Sequence, residues 1–172
     1  MSTAPALSLF DDELFGLAAD LIELYRDNRL KLATAESCTG GLVAALLTEI
    51  PGSSAVVERG FVTYSNEAKQ ELLGVEPALL MAHGAVSAEV ARAMARGALD
   101  HSLADVAIAV TGIAGPGGGA PEKPVGLVYF AAVARGGGLA AREQRFGELG
   151  RAAIRRASVL QALELLRQSA ER

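Results

Sequence analysis

The sequence predicts a three-layer α/β sandwich with a mixed, mostly parallel sheet and helices on both of its faces. Two observations carry this prediction. Segments with apolar residues at helical spacing alternate along the chain with short apolar runs that are typical of buried strands. Towards the end of the chain, two strand-like runs flank Gly136-Gly137-Gly138, which predicts an antiparallel hairpin attached to the other strands.

The first half of the chain supplies helices and strands in alternation. Pro51-Gly52 stops the second predicted helix, and Ser65-Asn66 can cap a third helix that Gly74 ends. The predicted elements of this half are helices over residues 7–26, 41–50 and 65–74, and strands over residues 30–35 and 56–64.

The second half begins with a long alanine-rich helix that Ser87 and Glu89 open. The run "DVAIAVT" that follows it is the clearest buried strand of the sequence. The predicted elements of this half are a helix over residues 87–102, strands over 105–111, 125–134 and 139–146, and a closing helix over 151–172. No internal repeat or linker interrupts the pattern, so residues 1–172 are predicted to form one domain.

The composition excludes several classes of function. A formal net charge of -4 argues against broad nucleic-acid binding, although a local basic pocket for one phosphate is allowed. One cysteine and two histidines leave little for a disulfide, a metal or a metal cofactor, and none is predicted. Met1 to Phe10 lacks the features of a signal peptide, and no stretch approaches the roughly 20 apolar residues of a membrane span. We therefore expect a cytoplasmic protein with no nucleic-acid or membrane partner.

Two predicted strands end in polar, glycine-rich turns, "AESCTGG" at residues 35–41 and "TGIAGPGGG" at residues 111–119. In open α/β sheets, ligands bind outside the carboxyl ends of the strands, and free N–H groups at a helix start attract anions. Neither turn matches the Walker or the dinucleotide-binding pattern. One such turn alone is equally well explained by a helix cap and a change of chain direction, but two together favour a ligand site.

A third polar stretch, "FVTYSNEAK", places Tyr64 at the end of a predicted strand and Lys69 about one turn into the next helix. A buried lysine, or one near other cations, loses its proton more easily and can serve as a base for a serine hydroxyl. From spacing alone, we favour the simpler interpretation, which is an ordinary solvated lysine and a tyrosine in the core.

Two further groups of side chains have open roles. Cys38 is intrinsically a stronger nucleophile than Ser37, but neither His83 nor His101 is marked as its partner, so a small buried thiol is the favoured interpretation. Four arginines before and within the closing helix can hold a phosphate by forked hydrogen bonds, or can simply form a solvated face; they are Arg145, Arg151, Arg155 and Arg156.

Several motifs, in the same order, resemble the C-terminal domain of the competence/damage-inducible CinA family, which includes stand-alone nicotinamide-nucleotide amidases. These motifs are "TAESCTGGLVAALLTEIPGSS", "GFVTYSNEAKQELLGV", "GAVSAEVARAMARGA" and "VTGIAGPGGG…KPVGLVYFA". The resemblance extends from about residue 10 to residue 168. It implies a single CinA C-terminal-like amidohydrolase domain that converts nicotinamide mononucleotide to nicotinate mononucleotide and ammonia without a cofactor, in pyridine nucleotide recycling.

The resemblance also implies roles for individual residues. It assigns the nucleophile to Ser37, with Lys69 as its base and Tyr64 assisting. Backbone N–H groups around residues 38–41 are expected to stabilise the oxyanion. Glu36 is expected to orient Lys69 or to bind substrate. The implied substrate-binding residues are Glu36, Thr39, Gly40, Gly41, Thr111, Gly112, Gly115 and Arg151. One departure is that Gly150 replaces the acid or amide that the family usually has before this arginine.

Three functions stay open on the sequence alone. The first is the amidase, which the presence of Ser37, Tyr64 and Lys69 favours. The second is a non-catalytic nucleotide-binding or partner-binding module of the same fold, and the third is an amidase for a different carboxamide. The resemblance and the apolar, alanine-rich helices also make a homo-oligomer plausible.

Overall fold

The computed structural model describes residues 8–171 as six α-helices and five strands. The helices are α1 (Asp12–Asp27), α2 (Leu42–Glu49), α3 (Asn66–Leu73), α4 (Pro77–His83), α5 (Ala88–Asp100) and α6 (Arg151–Ala170). The strands are β1 (Leu32–Glu36), β2 (Val57–Val62), β3 (Val106–Gly112), β4 (Leu127–Ala134) and β5 (Leu139–Arg145). A short 3₁₀ turn, Ser53–Ala55, precedes β2.

The five described strands form one sheet in the order β2-β1-β3-β4-β5. Strand β1 pairs parallel with both β2 and β3, whereas β4 pairs antiparallel with β3 and with β5. Four strands therefore share one direction and β4 alone is reversed, which confirms the mixed, mostly parallel sheet. The turn between β4 and β5 is closed by hydrogen bonds between Ala134 and Gly138 and between Gly137 and Ala134, so the predicted hairpin is confirmed.

Helices cover both faces of the sheet, and the alternation of side chains along β3 shows how. Val106, Ile108 and Val110 belong to the core beneath α1, α2 and α6, whereas Ala107 and Ala109 belong to the core beneath α3, α4 and α5. Strand β3 thus presents large residues to one layer and alanines to the other. The three-layer sandwich is confirmed.

Close packing continues on the small-residue side, where α5 crosses α3. A Cβ built on Gly97 would lie 1.9 Å from the carbonyl oxygen of Leu73, so only glycine fits at this crossing. This contact fixes α3 against α5, and α3 is the helix that carries Lys69.

Most predicted elements are found, with small shifts of their ends. Helix α1 begins at Asp12, with Asp11 as its N-cap, rather than at residue 7. Residue 7 and residue 172, the predicted ends of the first and last helices, lie outside the described residues. Helix α4 was not predicted: it is short, Pro77 starts it, and Leu80 is its buried residue, so it gives almost no periodic signal. Within residues 8–171, every helix falls short of the length or apolarity that a bilayer-spanning segment requires.

Candidate active site

The carboxyl ends of the three parallel strands β1, β2 and β3 meet at one edge of the sheet. Each strand ends in one of the polar stretches that the sequence singles out: Ser37 follows β1, Tyr64 follows β2, and Thr111 lies near the end of β3. This edge is where open α/β sheets bind ligands. The topology therefore brings the three stretches together although up to 74 positions separate them along the chain, the difference between 111 and 37.

Residues 37–41, which we call the nucleophile turn, connect β1 to α2. The Ser37 N–H donates to the carbonyl of Val110 on β3 at 2.9 Å, and the Gly40 N–H donates back to the Ser37 carbonyl at 3.0 Å. Gly40 and Gly41 have φ values of 60° and 98°, in the left-handed region that favours glycine. The two glycines thus let the chain reverse sharply, which leaves Ser37 at the strand end.

Glu36 holds the start of α2. Its carboxylate is 1% exposed and accepts hydrogen bonds from the N–H groups of Gly41, Val43 and Ala44 at 2.9–3.1 Å. A carboxylate at a helix N-terminus satisfies free backbone donors and complements the helix dipole. The structure therefore gives Glu36 a capping role next to Ser37, and its carboxylate does not line the site.

Lys69 approaches Ser37 from the first turn of α3. The side chain of Lys69 is 1% exposed, and its Nζ lies 3.1 Å from Ser37 Oγ. Its other neighbours are backbone carbonyl oxygens, at 2.8 Å for Thr63, 3.4 Å for Tyr64 and 3.5 Å for Ser65. Among the described residues, no carboxylate forms an ion pair with it.

The surroundings of Lys69 make it easier for the amine to lose its proton. Burial removes water from the ammonium group and lowers the pKa of Lys69 below its usual 10.5. A negative charge on Cys38 would oppose this shift, but burial raises the pKa of the Cys38 thiol to about 12, so that charge is absent near neutral pH. A neutral amine has two protons for the carbonyls and one lone pair for the Ser37 hydroxyl.

For residues 61–69, spacing alone favoured a solvated lysine and a tyrosine in the core, and the structure contradicts this interpretation. Lys69 is buried rather than solvated, and Tyr64 is 60% exposed rather than part of the core. Tertiary packing explains both differences. Helix α3 packs between α5 and the strand ends, which buries Lys69, whereas Tyr64 lies beyond the end of β2 and is exposed. The prediction that Cys38 is a small buried thiol is confirmed, since Cys38 is 5% exposed.

Tyr64 and Arg151 face each other across the mouth of the site. One guanidinium nitrogen of Arg151 donates to the Tyr64 hydroxyl at 3.0 Å, and the other donates to the carbonyl of Gly115 at 2.9 Å. Arg151 therefore joins the end of β2 to the glycine-rich loop after β3. In this arrangement the Tyr64 hydroxyl is bound to Arg151, not bridged between Ser37 and Lys69.

Together these elements enclose a cavity of about 280 Å³, near the lower end of the size range for small-molecule sites. Seven predicted site residues line it: Ser37, Tyr64, Lys69, Thr111, Gly112, Gly115 and Arg151. Thr111 donates its hydroxyl to the carbonyl of Ala85 at 2.8 Å and so fixes another wall of the cavity. That wall, formed by Ala85 and Val86 between α4 and α5, was missed because it carries no polar side chain.

Four residues predicted to bind substrate lie outside the cavity wall. Besides the capping residue Glu36, Thr39 is fully buried, and its hydroxyl has no hydrogen-bond partner among the described residues. Gly40 and Gly41 face Arg155 and Val62 respectively. The nucleophile turn thus presents Ser37 and Cys38 to the cavity and keeps its other residues behind them.

The backbone N–H groups of the turn are not equally free. Gly40 donates to Ser37, and Gly41 donates to Glu36, so the expectation that they stabilise an oxyanion is wrong for these two. Within residues 8–171, the N–H groups of Cys38 and Thr39 donate to no oxygen atom of the protein. These two N–H groups are the candidate oxyanion donors of the turn.

The predicted arginine cluster is divided by the fold. Of its four members, Arg151 alone lines the cavity. Arg156 pairs with Asp11 and Glu13 at the start of α1, and Arg145 pairs with Glu143, which is also on β5. Arg155 reaches the nucleophile turn. The arginines therefore do not form a joint phosphate site. Arg145 is on β5, Arg156 is held by carboxylates, and Arg155, although one turn along α6 from Arg151, binds the Thr39 carbonyl behind the cavity.

A larger cavity, of about 670 Å³, lies between α1 and α6. Among the residues that the structure describes, five leucines line it, including Leu17, Leu21 and Leu163, together with charged side chains, and it contains none of the predicted site residues. None of its described lining residues is a serine, threonine, cysteine or lysine, whereas the smaller cavity holds Ser37 in contact with Lys69, so the smaller cavity is the candidate active site on chemical grounds. No group of three or more potential metal ligands occurs in the described part of the chain.

The sequence profile of the CinA C-terminal domain matches residues 15–170. The chain belongs to this family. The resemblance drawn from the four motifs is therefore confirmed over nearly the whole chain.

Relatives and solved structures of the CinA family support the assignment. The chain is 50% identical over 159 residues to the nicotinamide-nucleotide amidohydrolase PncC of Escherichia coli K12, covering 92% of this chain and 95% of that protein. It matches the crystal structure of a competence/damage inducible protein from Agrobacterium tumefaciens with a TM-score of 0.94 and 53% identity, covering 96% of this chain and 100% of the other. A CinA superfamily protein from Klebsiella pneumoniae, 35% identical, gives a TM-score of 0.87, covering 92% of this chain and 98% of the other.

Other CinA relatives are considerably longer. A putative competence-damage inducible protein of Symbiobacterium thermophilum is 65% identical over 113 residues, which are 66% of this chain and 26% of that protein. The matched region is 30% of a relative from Caldicellulosiruptor bescii and 35% of one from Geobacter sulfurreducens. The chain thus spans about a third or less of the length of these relatives.

Gly150, the departure from the usual CinA motif, has a simple structural consequence. It is the N-cap residue of α6 with φ 86°, and no side chain caps the helix there. Arg151 is nevertheless held by Gly115 and Tyr64. The orientation of Arg151 therefore does not depend on a side chain at position 150.

Proposed function

We propose that this domain is an amidohydrolase that converts nicotinamide mononucleotide to nicotinate mononucleotide and ammonia, with Ser37 as its nucleophile. The observation that carries the proposal is the approach of Lys69 Nζ to Ser37 Oγ at 3.1 Å, with Lys69 buried and without a carboxylate partner. The name and the 50% identity of the Escherichia coli PncC support the choice of substrate.

The first half of the reaction forms an ester. Neutral Lys69 takes the proton of the Ser37 hydroxyl while Ser37 Oγ attacks the carboxamide carbon. The carbonyl oxygen becomes an oxyanion, for which the N–H groups of Cys38 and Thr39 are the available donors in the turn, and one such donor is typically worth about 3 kcal/mol. The Lys69 ammonium then gives its proton to the leaving nitrogen, and ammonia departs.

The second half of the reaction hydrolyses the ester. Water attacks the acyl carbon while Lys69 again accepts a proton, and the carbon–oxygen bond to Ser37 breaks as Ser37 recovers its hydrogen. The products are the nicotinate carboxylate and free Ser37. In this scheme Arg151 and the glycine-rich loop bind the nucleotide part, and Tyr64 orients Arg151.

The test is direct. Purified protein is incubated with nicotinamide mononucleotide, and ammonia and nicotinate mononucleotide are quantified together. We expect equal amounts of both products. Tight binding of nicotinamide mononucleotide without products would favour a non-catalytic module, and faster hydrolysis of another carboxamide, such as free nicotinamide or nicotinamide riboside, would change the substrate.

We also propose that the domain self-associates, as the resemblance to the CinA family and the apolar, alanine-rich helices lead us to expect. Light scattering coupled to size-exclusion chromatography measures the molar mass in solution. A mass that stays at the 17.7 kDa of one chain at all concentrations would contradict self-association.

A further inference from the structure

Arg155 extends from the first turns of α6 to the back of the nucleophile turn. Its Nη2 donates to the carbonyl of Thr39 at 3.1 Å. The same nitrogen would lie 3.5 Å from a Cβ built on Gly40, so the guanidinium packs directly against the turn. A residue 116 positions later in the chain thus contacts the turn that carries Ser37.

The charge of Arg155 is not neutralised locally. Among the described residues, it forms no ion pair, and its Nε is buried without a hydrogen-bond partner. Its neighbour Arg156, in contrast, pairs with both Asp11 and Glu13. A buried donor without an acceptor costs free energy of folding. A guanidinium that has no carboxylate partner at this position is therefore a candidate for a functional role that offsets the cost.

The electrostatic field of Arg155 reaches the residue beside the nucleophile. Its positive charge opposes the effect of burial on the Cys38 thiol, whose pKa it lowers. A charge that favours a thiolate at position 38 also favours an oxyanion formed next to Ser37, because both are anions at the same turn.

We propose that Arg155 is a positioning residue, which holds the nucleophile turn through the Thr39 carbonyl and supplies positive potential where the oxyanion forms. The anchored carbonyl and the N–H of Thr39 lie on the two peptide groups that meet at its Cα, so fixing the first restrains the backbone that carries the second. This proposal rests on the proposed role of Ser37 as nucleophile.

The kinetic test compares Arg155→Met with Arg156→Met, a matched change one position along the same helix. For ammonia release from nicotinamide mononucleotide, we expect Arg155→Met to lower kcat about tenfold or more with KM within about twofold, because the loss affects the transition state alone. Arg155→Lys, which keeps the charge, should retain an intermediate kcat. Arg156→Met should leave kcat within about twofold while lowering stability by its lost ion pairs.

A second measurement does not depend on amide hydrolysis. In a Ser37→Cys, Cys38→Ala background, the introduced thiol is titrated by its thiolate absorbance at about 240 nm. Arg155→Met should raise its pKa by about half a pH unit or more, Arg155→Lys by less, and Arg156→Met should leave it unchanged. Lys69 is present in every variant, so its contribution cancels.

The outcomes separate the two proposals. An unmodified protein that releases no ammonia contradicts the proposed function, while the thiol titration still tests Arg155. If the protein is active, equal kcat values for Arg155→Met and Arg156→Met, or an effect confined to KM, would overturn the role of Arg155. An unchanged thiol pKa in Arg155→Met would overturn its electrostatic part.

Discussion

The two cavities of this domain differ in almost every respect that matters for chemistry. The cavity between α1 and α6 has about 670 Å³, with five leucines and several charged side chains in its walls, whereas the cavity at the strand ends has about 280 Å³ and holds the Ser37 hydroxyl in contact with the Lys69 amine. The larger cavity lies between two helices, and the smaller one lies where three parallel strands end. A serine hydroxyl in contact with a buried lysine at the strand ends, not volume, therefore marks the candidate site.

The two regions should therefore respond differently to substitution: changes at the strand-end cavity should affect activity, and changes between α1 and α6 should affect stability. The largest effect is expected at the nucleophile. Ser37→Ala should lower kcat for ammonia release by about a thousandfold or more, because Ser37 is the hydroxyl that lies 3.1 Å from the Lys69 amine. Its unfolding transition should stay close to that of the unmodified protein.

Cys38→Ala is the matched control for the nucleophile. The thiol is adjacent to Ser37 but neutral near pH 7, because burial raises the pKa of Cys38 to about 12. The variant should keep most of its activity. If Cys38→Ala were inactive and Ser37→Ala active, the domain would be a thiol enzyme.

Lys69→Met should reduce kcat by a similar factor, since it removes the base but keeps most of the apolar stem. Lys69→Arg should fail as well, because a guanidinium does not release its proton in this pH range. In the unmodified protein, kcat/KM should rise with pH on a limb with its midpoint below the usual lysine pKa of 10.5. Substantial activity in Lys69→Arg would reduce Lys69 to a positive charge for binding.

The same lowered pKa makes a prediction about stability. Below pH 10.5 the unfolded chain protonates Lys69 while the folded protein does not, until the pH falls to the folded pKa. Lys69 therefore makes the folded state less stable as the pH falls through this window. Lys69→Met removes this dependence, so urea unfolding across the window should show a flatter pH profile and no loss of stability near pH 7.

An opposite pattern is expected in the cavity between α1 and α6. Leu21 lines it and is 3% exposed. Leu21→Ala should lower the free energy of unfolding by about 2–5 kcal/mol, the usual cost of truncating a core leucine. At a temperature where the variant is folded, its kcat/KM should equal that of the unmodified protein, and a specific loss of kcat would mean that this cavity also takes part in turnover.

Tyr64→Phe should have a smaller effect on activity. It removes the hydroxyl that accepts a hydrogen bond from Arg151 and leaves the ring in place. We expect kcat/KM to fall by up to about tenfold, the equivalent of one modest hydrogen bond. Stability should change by less than about 0.5 kcal/mol because Tyr64 is 60% exposed. A loss as large as that of Ser37→Ala would mean that Tyr64 takes part in proton transfer itself.

Exhaustive chelation should have the smallest effect of all. The proposed chemistry uses a hydroxyl and an amine, so EDTA should leave turnover unchanged. Activity that disappears with EDTA and returns with zinc or manganese would contradict the serine–lysine mechanism.

The sequence predicts the alternation of elements and the strand ends well, because periodic apolar residues, caps and glycines act locally. Ser65 and Gly74, for example, bound α3 as expected. What the sequence alone misjudges depends on contacts between distant segments. Spacing alone cannot bury Lys69 or expose Tyr64, since both follow from how α3 packs beside the strand ends. Equally, the local sequence does not show that Arg155 and Arg156 have different partners. Arg155 binds the nucleophile turn, and Arg156 pairs with carboxylates at the start of α1.

The most direct test is the crystal structure of the Ser37→Ala protein with nicotinamide mononucleotide, because it shows which of the two cavities holds the ligand. We predict that the nucleotide occupies the strand-end cavity, with its carboxamide carbon beside Cβ of position 37 and within reach of Lys69 Nζ, and with Arg151 on the nucleotide part. A nucleotide bound between α1 and α6, or one bound at the strand ends with its carboxamide turned away from position 37, would contradict the account.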